Sequence, residues 1–320
     1  MVQSIISLTQ DDGYVQSLRL WLPGSDSSGN TMPKGFIHIC HGMAEHSGRY
    51  QEFAQWMCEK QWGVIAQDHR GHGLNLEKPE EIQGYFGPKD GWARIVDDSL
   101  TLTNFLNTQY PQVPKILLGH SMGSFLARTM ASRLGNSKQK SYQAYIFSGT
   151  AGNPGFMGKV GAKLAQWEAR RKGPTHPSTM MNTLMFGSYS KAFKPKRTEF
   201  DWVSSSPSEV DGYVADPWCG FLCTSQFYAD LLQAVLYVNS EQCFTTQEQS
   251  IPVLLCSGAQ DPVGDFGKGV RWVEEQFKTT GIEHVTTILY PDGRHEMFHE
   301  AQKTQVFNDL WNWIGSIKIT

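Results

Sequence analysis

The sequence predicts an α/β fold, in which a mostly parallel central sheet is flanked by helices and carries an inserted, mainly helical cap. Three observations predict this class. Short apolar runs rich in β-branched and aromatic residues recur along the 320 residues, longer segments with apolar residues at helical spacing separate them, and one internal stretch lacks this alternation. Strands that alternate with helices form parallel sheets covered on both faces.

Eight segments are predicted to be strands. The first two, SIISLT and YVQSLRLWLP, are separated by a short turn that contains Asp-Asp-Gly, and they predict an antiparallel hairpin at one edge of the sheet. The other six are predicted parallel strands: FIHIC from Phe36, WGVIAQD from Trp62, KILLG from Lys115, YQAYIFSG from Tyr142, PVLLCSG from Pro252 and VTTILYP from Val285.

The segments between these strands predict the flanking helices. Apolar residues recur there three and four positions apart, as in Trp92, Val96, Leu102 and Leu106. Helices are predicted at residues 50–59, 92–106, 125–134 and 300–317.

Residues 150–223 break the alternation. This stretch contains GNPGF, the Met-rich TMMNTLMF, two basic clusters and the turn-rich FDWVSSSPSEVDGY, without a regular strand pattern. It follows a predicted strand and precedes the helical SQFYADLLQAV. We therefore predict a core formed by residues 1–149 and 224–320, with residues 150–223 inserted as the cap.

Composition limits the possible partners and the compartment. A formal net charge of -3 gives no basic field for nucleic acid, and no segment approaches the ~20 apolar residues that span a bilayer. The N-terminus lacks the features of a secretory signal, and the six scattered cysteines do not predict a disulfide framework. We expect a cytoplasmic protein that acts on a small molecule.

A candidate nucleophile lies in ILLGHSMGSFLARTM, which begins at Ile116. Ser121 follows an apolar strand, precedes a helix and is flanked at two positions by Gly119 and Gly123. This GxSxG spacing predicts a sharp turn between strand and helix, where bulkier neighbours would collide with the backbone. The turn would expose the Ser121 hydroxyl.

A serine hydroxyl is a poor nucleophile unless a base accepts its proton and an acid orients that base. Asp261 ends the strand region PVLLCSGAQD, and His295 follows VTTILYP through a glycine-containing loop. The carboxyl ends of parallel strands meet at one edge, so Ser121, Asp261 and His295 can converge there. Asp265 is the rival acid, but it lies farther from its strand and is expected inside the next helix.

The tetrahedral oxyanion of an acyl-transfer reaction needs donors already aimed at it. The amide of Met122, directly after the nucleophile, is one candidate. The second is the amide of Met43, because FIHICHGM puts a His-Gly turn at the same edge of the sheet.

Three motifs resemble those of a known branch of enzymes. HGMAEHSGRY from His41, DHRGHG from Asp68 and LLGHSMGS from Leu117 are similar to motifs of the monoacylglycerol lipase and bacterial lysophospholipase-like α/β-hydrolases. The resemblance covers most of residues 36–135 and resumes after Ile251. It implies an α/β-hydrolase fold and a serine esterase or lipase without metal or organic cofactor. Ser121, Asp261 and His295 match the triad of that branch, and Met43 and Met122 match its oxyanion positions.

The substrate implied by the resemblance is a lipid-like ester of monoacylglycerol or lysophospholipid type. The stretch FDWVSSSPSEVDGYVADPWCGF is more similar to the bacterial lysophospholipase-like members than to the lipase, so head group and chain length stay open. Peptidases and other acyl hydrolases share the serine machinery, and a non-catalytic binding protein on the same fold is a further alternative.

HEMFH, from His295 to His299, also fits the HExxH template of zinc peptidases, with Glu296 as base. That template needs both histidines inside one helix and a third ligand downstream. His295 directly follows PDGR, and no histidine comes after His299. We therefore favour the serine mechanism and expect no metal.

Several other residues have both a functional and a structural interpretation. Glu45 and Arg49 follow the predicted oxyanion turn and could bind a polar leaving group or form an ion pair that braces the loop. DHRGHG favours a structural turn.

The apolar cap residues could contact an acyl chain or pack the cap on the core; they are Met180, Met181, Leu184, Met185 and Phe186. The basic cap residues could bring the cap transiently to anionic lipid surfaces or form a solvated face; they are Arg170, Arg171, Lys172, Lys191, Lys194, Lys196 and Arg197.

Overall fold

The computed structural model describes residues 1–25, 32–135 and 140–317, and an eight-stranded sheet forms its centre. In chain order the strands are β1 (Val2–Thr9), β2 (Val15–Leu22), β3 (Gly35–Cys40), β4 (Trp62–Gln67), β5 (Lys115–His120), β6 (Ala144–Ser148), β7 (Val253–Gly258) and β8 (Val285–Tyr290). Their spatial order is β1-β2-β4-β3-β5-β6-β7-β8.

The sheet is antiparallel at one side and parallel elsewhere. β1 pairs with β2 from Val2 opposite Leu22 to Thr9 opposite Val15, and β2 is also antiparallel to β4. All pairs from β4 through β8 are parallel. The predicted edge hairpin and the predicted parallel sheet are both confirmed.

Ten helices lie in the described residues. They are α1 (Gln51–Glu59), α2 (Gly91–Gln109), α3 (Met122–Leu134), α4 (Gly155–Lys172), α5 (Thr179–Phe186), α6 (Pro207–Ala215), α7 (Ser225–Val238), α8 (Glu241–Thr245), α9 (Lys268–Thr279) and α10 (Lys303–Ser316). None of them combines the length and apolar character needed to cross a bilayer.

The central strands are buried on both faces because helices cover each side of the sheet. Along β5, Leu117 packs in the cluster that contains residues of α2, α3, α7 and α9, whereas Ile116 and Leu118 pack with α1 and α10. This alternation follows from the two-residue period of a strand. It explains why these strands read as continuous apolar runs.

Two helices begin three residues away from their predicted starts, and α2 ends three residues after its predicted end, at Gln109. α3 begins at Met122, three residues before the predicted start, because the chain enters the helix directly after the turn at Ser121. α10 begins at Lys303 rather than at residue 300. The buried carboxylate of Glu300 accepts hydrogen bonds from the amides of Ser205 and Arg294, and this holds Glu300 in the preceding loop.

The five helices α4 to α8 lie in the chain between β6 and β7. α4 packs against α7, and α7 in turn packs on α3 and α2. A separate apolar cluster forms in the same stretch from Phe193, Trp202, Val203 and Val210. The segment that interrupts the strand–helix alternation is therefore mainly helical, as its sequence indicates.

Candidate active site

Ser121 sits in the strained turn between β5 and α3. Its backbone angles are φ 52° and ψ -121°, in a region that non-glycine residues rarely adopt. The Ser121 amide donates to the Ser148 carbonyl at 2.9 Å, which ties the turn to the neighbouring strand end. The strain is thus held in place by main-chain hydrogen bonding.

The two glycines of the motif are required by close packing. A Cβ on Gly123 would lie 2.0 Å from the Cys40 carbonyl oxygen, and one on Gly119 would lie 2.2 Å from the Gly123 carbonyl oxygen. Both contacts are with backbone atoms, which cannot swing aside. The steric explanation of GxSxG predicted from the sequence is confirmed.

Ser121, His295 and Asp261 form a continuous chain of hydrogen bonds. His295 Nε2 lies 2.8 Å from Ser121 Oγ, and His295 Nδ1 lies 2.9 Å from Asp261 Oδ2. Because the carboxylate can only accept, Nδ1 carries the proton of the neutral imidazole and Nε2 accepts from the Ser121 hydroxyl. This arrangement can take a proton from Ser121 as its oxygen attacks an acyl carbon.

Asp261 is fully buried and held by further donors. The Val263 amide donates to Oδ1 at 2.8 Å, and the Ser257 hydroxyl donates to Oδ2 at 3.2 Å. The carboxylate therefore has a fixed orientation toward His295. Asp265, the rival acid, lies in the turn before α9 rather than inside that helix, with φ 48°, and its carboxylate is 3.9 Å from Lys268 Nζ. The expectation that Asp265 is helical was wrong, because the chain enters α9 only after the αL residue Gly267.

The neighbouring charges set the basicity of the two imidazoles at this site. Burial alone lowers the pKa of His295, but the charge of Asp261 and its hydrogen bond outweigh this, so the net pKa is raised above the ordinary value. His120 lies with its ring centroid 4.8 Å from that of His295. Burial, reinforced by His295, lowers the pKa of His120 well below its usual range and keeps it neutral.

Met43 and Met122 both line the cavity that contains Ser121. Met122 is the first residue of α3, where an amide has no partner within the helix. The turn that carries Met43 passes close to Ser121, since a Cβ on Gly42 would lie 3.2 Å from Ser121 Cβ. Within the described part of the chain, neither amide donates a hydrogen bond to another backbone group. An oxyanion donor needs such an unpartnered amide, so Met43 and Met122 stay the predicted donors.

Glu45 and Arg49 belong to a buried ion-pair network. Glu45 accepts from the Gly42 amide, from Tyr50 Oη at 3.0 Å and from Arg49 Nη1 at 3.0 Å. Arg49 also forms a bidentate pair with Glu296, at 2.7 and 2.6 Å. The network therefore joins the Met43 turn to the residue that follows His295.

Of these two candidates, Glu45 lines the cavity over Ser121, whereas Arg49 lines a separate, smaller depression on the surface. Burial by itself would lower the pKa of Arg49, but Glu296 and Glu45 raise it well above the ordinary value. The geometry is that of the loop-bracing ion pair, one of the two interpretations that the sequence left open.

HEMFH does not form a zinc-binding helix. Residues Met297–His299 make a single short 3-10 turn, and His295 lies before it. Both ring nitrogens of His295 are engaged by Ser121 and Asp261, while His299 Nδ1 lies 3.5 Å from Glu209. Glu296, the base of the zinc template, is instead the partner of Arg49.

Three possible metal ligands, His46, Asp216 and Cys219, lie within 4.8 Å of one another. The Gly48 amide donates to His46 Nδ1 at 3.2 Å, so the neutral ring carries its proton on Nε2 and donates it to Asp216 at 3.0 Å. A metal bound to Nε2 would require the ring proton to be on Nδ1. That proton would then face the Gly48 N–H, and two donors cannot bond to each other. Burial also raises the pKa of the Cys219 thiol, so this cluster fits a hydrogen bond and not a metal site.

The DHRGHG motif forms a structural turn. The buried Asp68 carboxylate accepts from the amides of Ser47 and Leu74 and from Arg19. Arg70 pairs with Asp98 and Asp12. The motif therefore stabilises the core, which agrees with the structural turn predicted from the sequence.

A cavity of about 1070 Å³ lies over Ser121 and His295. Its apolar lining residues include Phe125, Phe221, Leu222, Leu231, Leu232 and Val235. Its lining also includes charged residues that are exposed, namely Lys191, Lys196, Glu199, Asp265 and Lys268. The volume is suited to a ligand of lipid size.

The Met-rich stretch TMMNTLMF divides between the two roles that its sequence allowed. Met185 and Phe186 line the cavity, whereas Met181 is fully buried in the main core and Leu184 is 57% exposed. Sequence reasoning missed Trp202, whose ring lies 5.2 Å from that of His295. The one hint in the sequence was that FDWVSSS contains a large aromatic residue although it has neither a strand nor a helix pattern.

Comparison with known proteins identifies a matching family and several related hydrolases. A family model described as "Serine aminopeptidase, S33" matches residues 31–302. The chain is 36% identical over 286 residues to a monoglyceride lipase homolog of Monkeypox virus, with 89% of this chain and 90% of that protein covered. It is 26% identical over 297 residues to a monoacylglycerol lipase of Mycolicibacterium smegmatis, with 93% and 91% covered.

Among solved structures, a thermostable carboxyl esterase from Bacillus coagulans in complex with glycerol superposes with a TM-score of 0.88. Its sequence is 26% identical, and 99% of each chain is covered. The resemblance and the fold predicted from the sequence are thereby confirmed. The chain belongs to the serine aminopeptidase S33 family of α/β-hydrolases and resembles monoacylglycerol lipases.

Proposed function

We propose that this protein is a serine hydrolase that cleaves carboxylic esters of lipid type, such as monoacylglycerols or lysophospholipids. The observation that carries the proposal is the hydrogen-bonded chain Ser121–His295–Asp261 at the base of a largely apolar cavity. The monoacylglycerol lipase and carboxyl esterase relatives support an ester as the bond that is cleaved.

In the proposed mechanism, Ser121 Oγ attacks the ester carbonyl carbon while His295 Nε2 takes the hydroxyl proton. The amides of Met43 and Met122 donate to the oxyanion, and loss of such a donor typically costs about 3 kcal/mol. His295 then gives its proton to the departing alcohol, which leaves an acyl-serine. Water, deprotonated by His295, attacks that intermediate, and His295 returns the proton to Ser121 Oγ as the carboxylic acid leaves.

The cavity wall supports the substrate class. Leu231, Leu232 and Val235 of α7 line the cavity, and such apolar side chains suit an acyl chain. The exposed charged lining residues suit the polar leaving group. We propose that residues 150–223 act as a cap over the core, since Phe186 and Trp202 from this stretch close the cavity beside the core residues Ser121 and His295.

We also propose that α4 contacts lipid surfaces. Its exposed side carries large apolar residues, with Phe156 76%, Met157 70% and Trp167 53% exposed. Cationic residues share the helix and are also exposed: Lys159, Lys163, Arg170 and Arg171. Apolar anchors with neighbouring cations are typical of a helix that binds an anionic interface.

A cytoplasmic location is part of the proposal. All six cysteines are buried and unpaired, which suits a reducing compartment.

The decisive experiment is a substrate panel tested on the wild type and on Ser121→Ala. It contains p-nitrophenyl esters, monoacylglycerols, lysophospholipids and aminoacyl amides. We expect ester turnover by the wild type and a loss of at least about 10³-fold in Ser121→Ala. Amide turnover above that of every ester would favour the peptidase alternative suggested by the family description, and full activity of Ser121→Ala would refute the mechanism.

A further inference from the structure

The stretch FDWVSSS, residues 200–206, lies against the loop that carries His295. The His295 amide donates to the Trp202 carbonyl at 3.3 Å, and the Glu296 amide donates to the Val203 carbonyl at 2.7 Å. The Ser204 hydroxyl donates to the His299 carbonyl at 2.8 Å. Main-chain and side-chain bonds therefore join the two segments along several consecutive residues.

Two charged side chains strengthen this junction. Arg294 Nη1 donates to the carbonyls of Asp201 and Ser204, the latter at 3.0 Å. Glu300, which is 1% exposed, accepts from the Ser205 amide at 3.0 Å and from the Arg294 amide at 2.6 Å. One buried carboxylate thus holds both segments, so a movement of one is transmitted to the other.

The Trp202 indole extends this junction to the imidazole itself. Its ring centroid lies 5.2 Å from that of His295, with 42° between the planes. Phe186 stacks on the indole at 5.9 Å and 10°, and Tyr189 meets it edge-on at 5.3 Å. Trp202 is only 8% exposed, so its ring is fixed by packing.

The other neighbours of the imidazole come from the core. His120 ends β5, and a Cβ on Gly149, next to β6, would lie 3.1 Å from His295 Cε1. Trp202, in contrast, comes from the inserted stretch. To keep its bonds to both Ser121 and Asp261, the ring of His295 must not rotate, and Trp202 supplies a wall against that rotation.

We propose that Trp202 is a positioning residue for His295, through which docking of the cap segment 200–206 sets the geometry of the base. This inference rests on the proposed function. A side chain that merely lined the acyl cavity would affect long-chain substrates through KM. A side chain that positions the base affects every substrate through kcat, because both acylation and deacylation use His295.

The test compares Trp202→Leu and Trp202→Phe with wild type in the full chain, on p-nitrophenyl acetate and p-nitrophenyl decanoate. We expect Trp202→Leu to lower kcat about tenfold on both esters, with an unchanged KM for acetate. Trp202→Phe, which keeps a ring, should restore most of kcat. Labelling of Ser121 by a fluorophosphonate, which needs the base but no acyl chain, should slow by the same factor.

Trp218→Leu is the matched control, because the Trp218 ring contacts His46 instead, with 5.2 Å between the ring centroids. The kcat of this variant should stay at the wild-type value. If Trp202→Leu does not fold, as judged by its thermal transition, Trp202→Met replaces it. A loss confined to the decanoate KM, or no loss at all, overturns the inference while the proposed function stands. A wild type that hydrolyses neither ester refutes the proposed function, and the inference with it.

Discussion

At the scale of single residues, His295 determines how the proposed chemistry depends on pH. Only the neutral imidazole can accept the Ser121 proton, so kcat/KM should be lost as pH falls below the pKa of His295. Asp261 outweighs burial and raises that pKa. We therefore expect the rising limb of the kcat/KM profile on a p-nitrophenyl ester to lie above pH 6.5, the ordinary value for histidine.

Asp261→Asn is the matched variant for this prediction. The amide removes the charge that raises the pKa of His295 and also allows the wrong tautomer, so kcat should fall by about 10³ to 10⁴-fold and the limb should move to lower pH. The same pH series measures both effects. A limb at the wild-type position in Asp261→Asn would contradict the electrostatic role given to this carboxylate.

Arg49 has a structural role that unfolding experiments can test. Arg49→Ala would leave Glu45 and Glu296 buried without their cation, and breaking such a pair typically costs about 3–5 kcal/mol. Arg49 pulls the pKa of Glu296 below its ordinary value despite burial. The stability from this pair is therefore complete above the ordinary glutamate pKa and is lost as pH falls toward the lowered value.

Urea unfolding of wild type and Arg49→Ala between pH 3 and pH 7 measures this prediction. The difference in free energy of unfolding should be largest near neutral pH and should shrink in acid, as Glu296 becomes protonated. KM for the ester substrates should not change in the variant. A raised KM with unchanged stability would instead support the substrate-binding interpretation of Arg49.

These residues also mark how far the sequence could predict the site. Ser121, Asp261 and His295 each follow a recognisable strand, so the topology alone brings them to one edge. Arg49 and Glu296 are 247 residues apart and carry no pattern that pairs them. Trp202 likewise lies outside any helix or strand, so only tertiary packing reveals its contact with His295.

At the scale of elements, the junction of β5 and α3 is the tightest constraint in the core. Gly123→Ala would force a Cβ to 2.0 Å from the Cys40 carbonyl oxygen on β3, so α3 or β3 must shift. Such overpacking typically costs 1–3 kcal/mol, and we expect the upper part of that range. Moving α3 also displaces Ser121, so kcat should fall as well.

Gly212→Ala is the control for this substitution. Gly212 lies in α6, and a Cβ there would meet nothing within 4 Å. Replacing a helical glycine in open space should raise stability by about 0.5–1 kcal/mol without changing kcat. Chemical denaturation and ester hydrolysis of the two variants test both expectations. Equal stability of the two would contradict the steric account of the motif.

Elements differed in how well the sequence predicted them. The strands β3 to β7 were predictable because burial on both faces makes each one a short apolar run. Residues 150–223, by contrast, were predicted only as mainly helical, since α5 and α6 are short and pack through isolated side chains such as Met181 and Val210. Their positions depend on contacts that local periodicity does not encode.

At the scale of the whole molecule, the residues of the proposed chemistry and the residues that cover them come from different parts of the chain. The sheet brings Ser121, Asp261 and His295 together through strand order alone, whereas the stretch between β6 and β7 supplies Phe186, Trp202 and the exposed side of α4. The chemistry was therefore predictable from motifs. The covering residues were not, because they pack through contacts that local sequence patterns do not encode.

The proposed lipid contact of α4 leads to a prediction for the intact protein. Sedimentation with vesicles of phosphatidylcholine and anionic phosphatidylserine should recover the wild type in the lipid fraction at low salt, and less of it at high salt, because cations near an anionic surface contribute about 1 kcal/mol each before screening. Phe156→Ser with Trp167→Ser removes two apolar anchors and should lower the bound fraction about tenfold or more.

Ile5→Ser is the control, since Ile5 is a similarly exposed apolar residue, 60% exposed, but lies on β1 rather than on α4. It should bind vesicles as the wild type does, and all variants should hydrolyse a water-soluble short-chain ester at the same rate. Absence of binding at low salt would end the proposal. If the Phe156/Trp167 double variant bound vesicles as well as the wild type does, another surface would make the contact. The reason is that the proposal for α4 depends on its exposed apolar side chains and not on its charge alone.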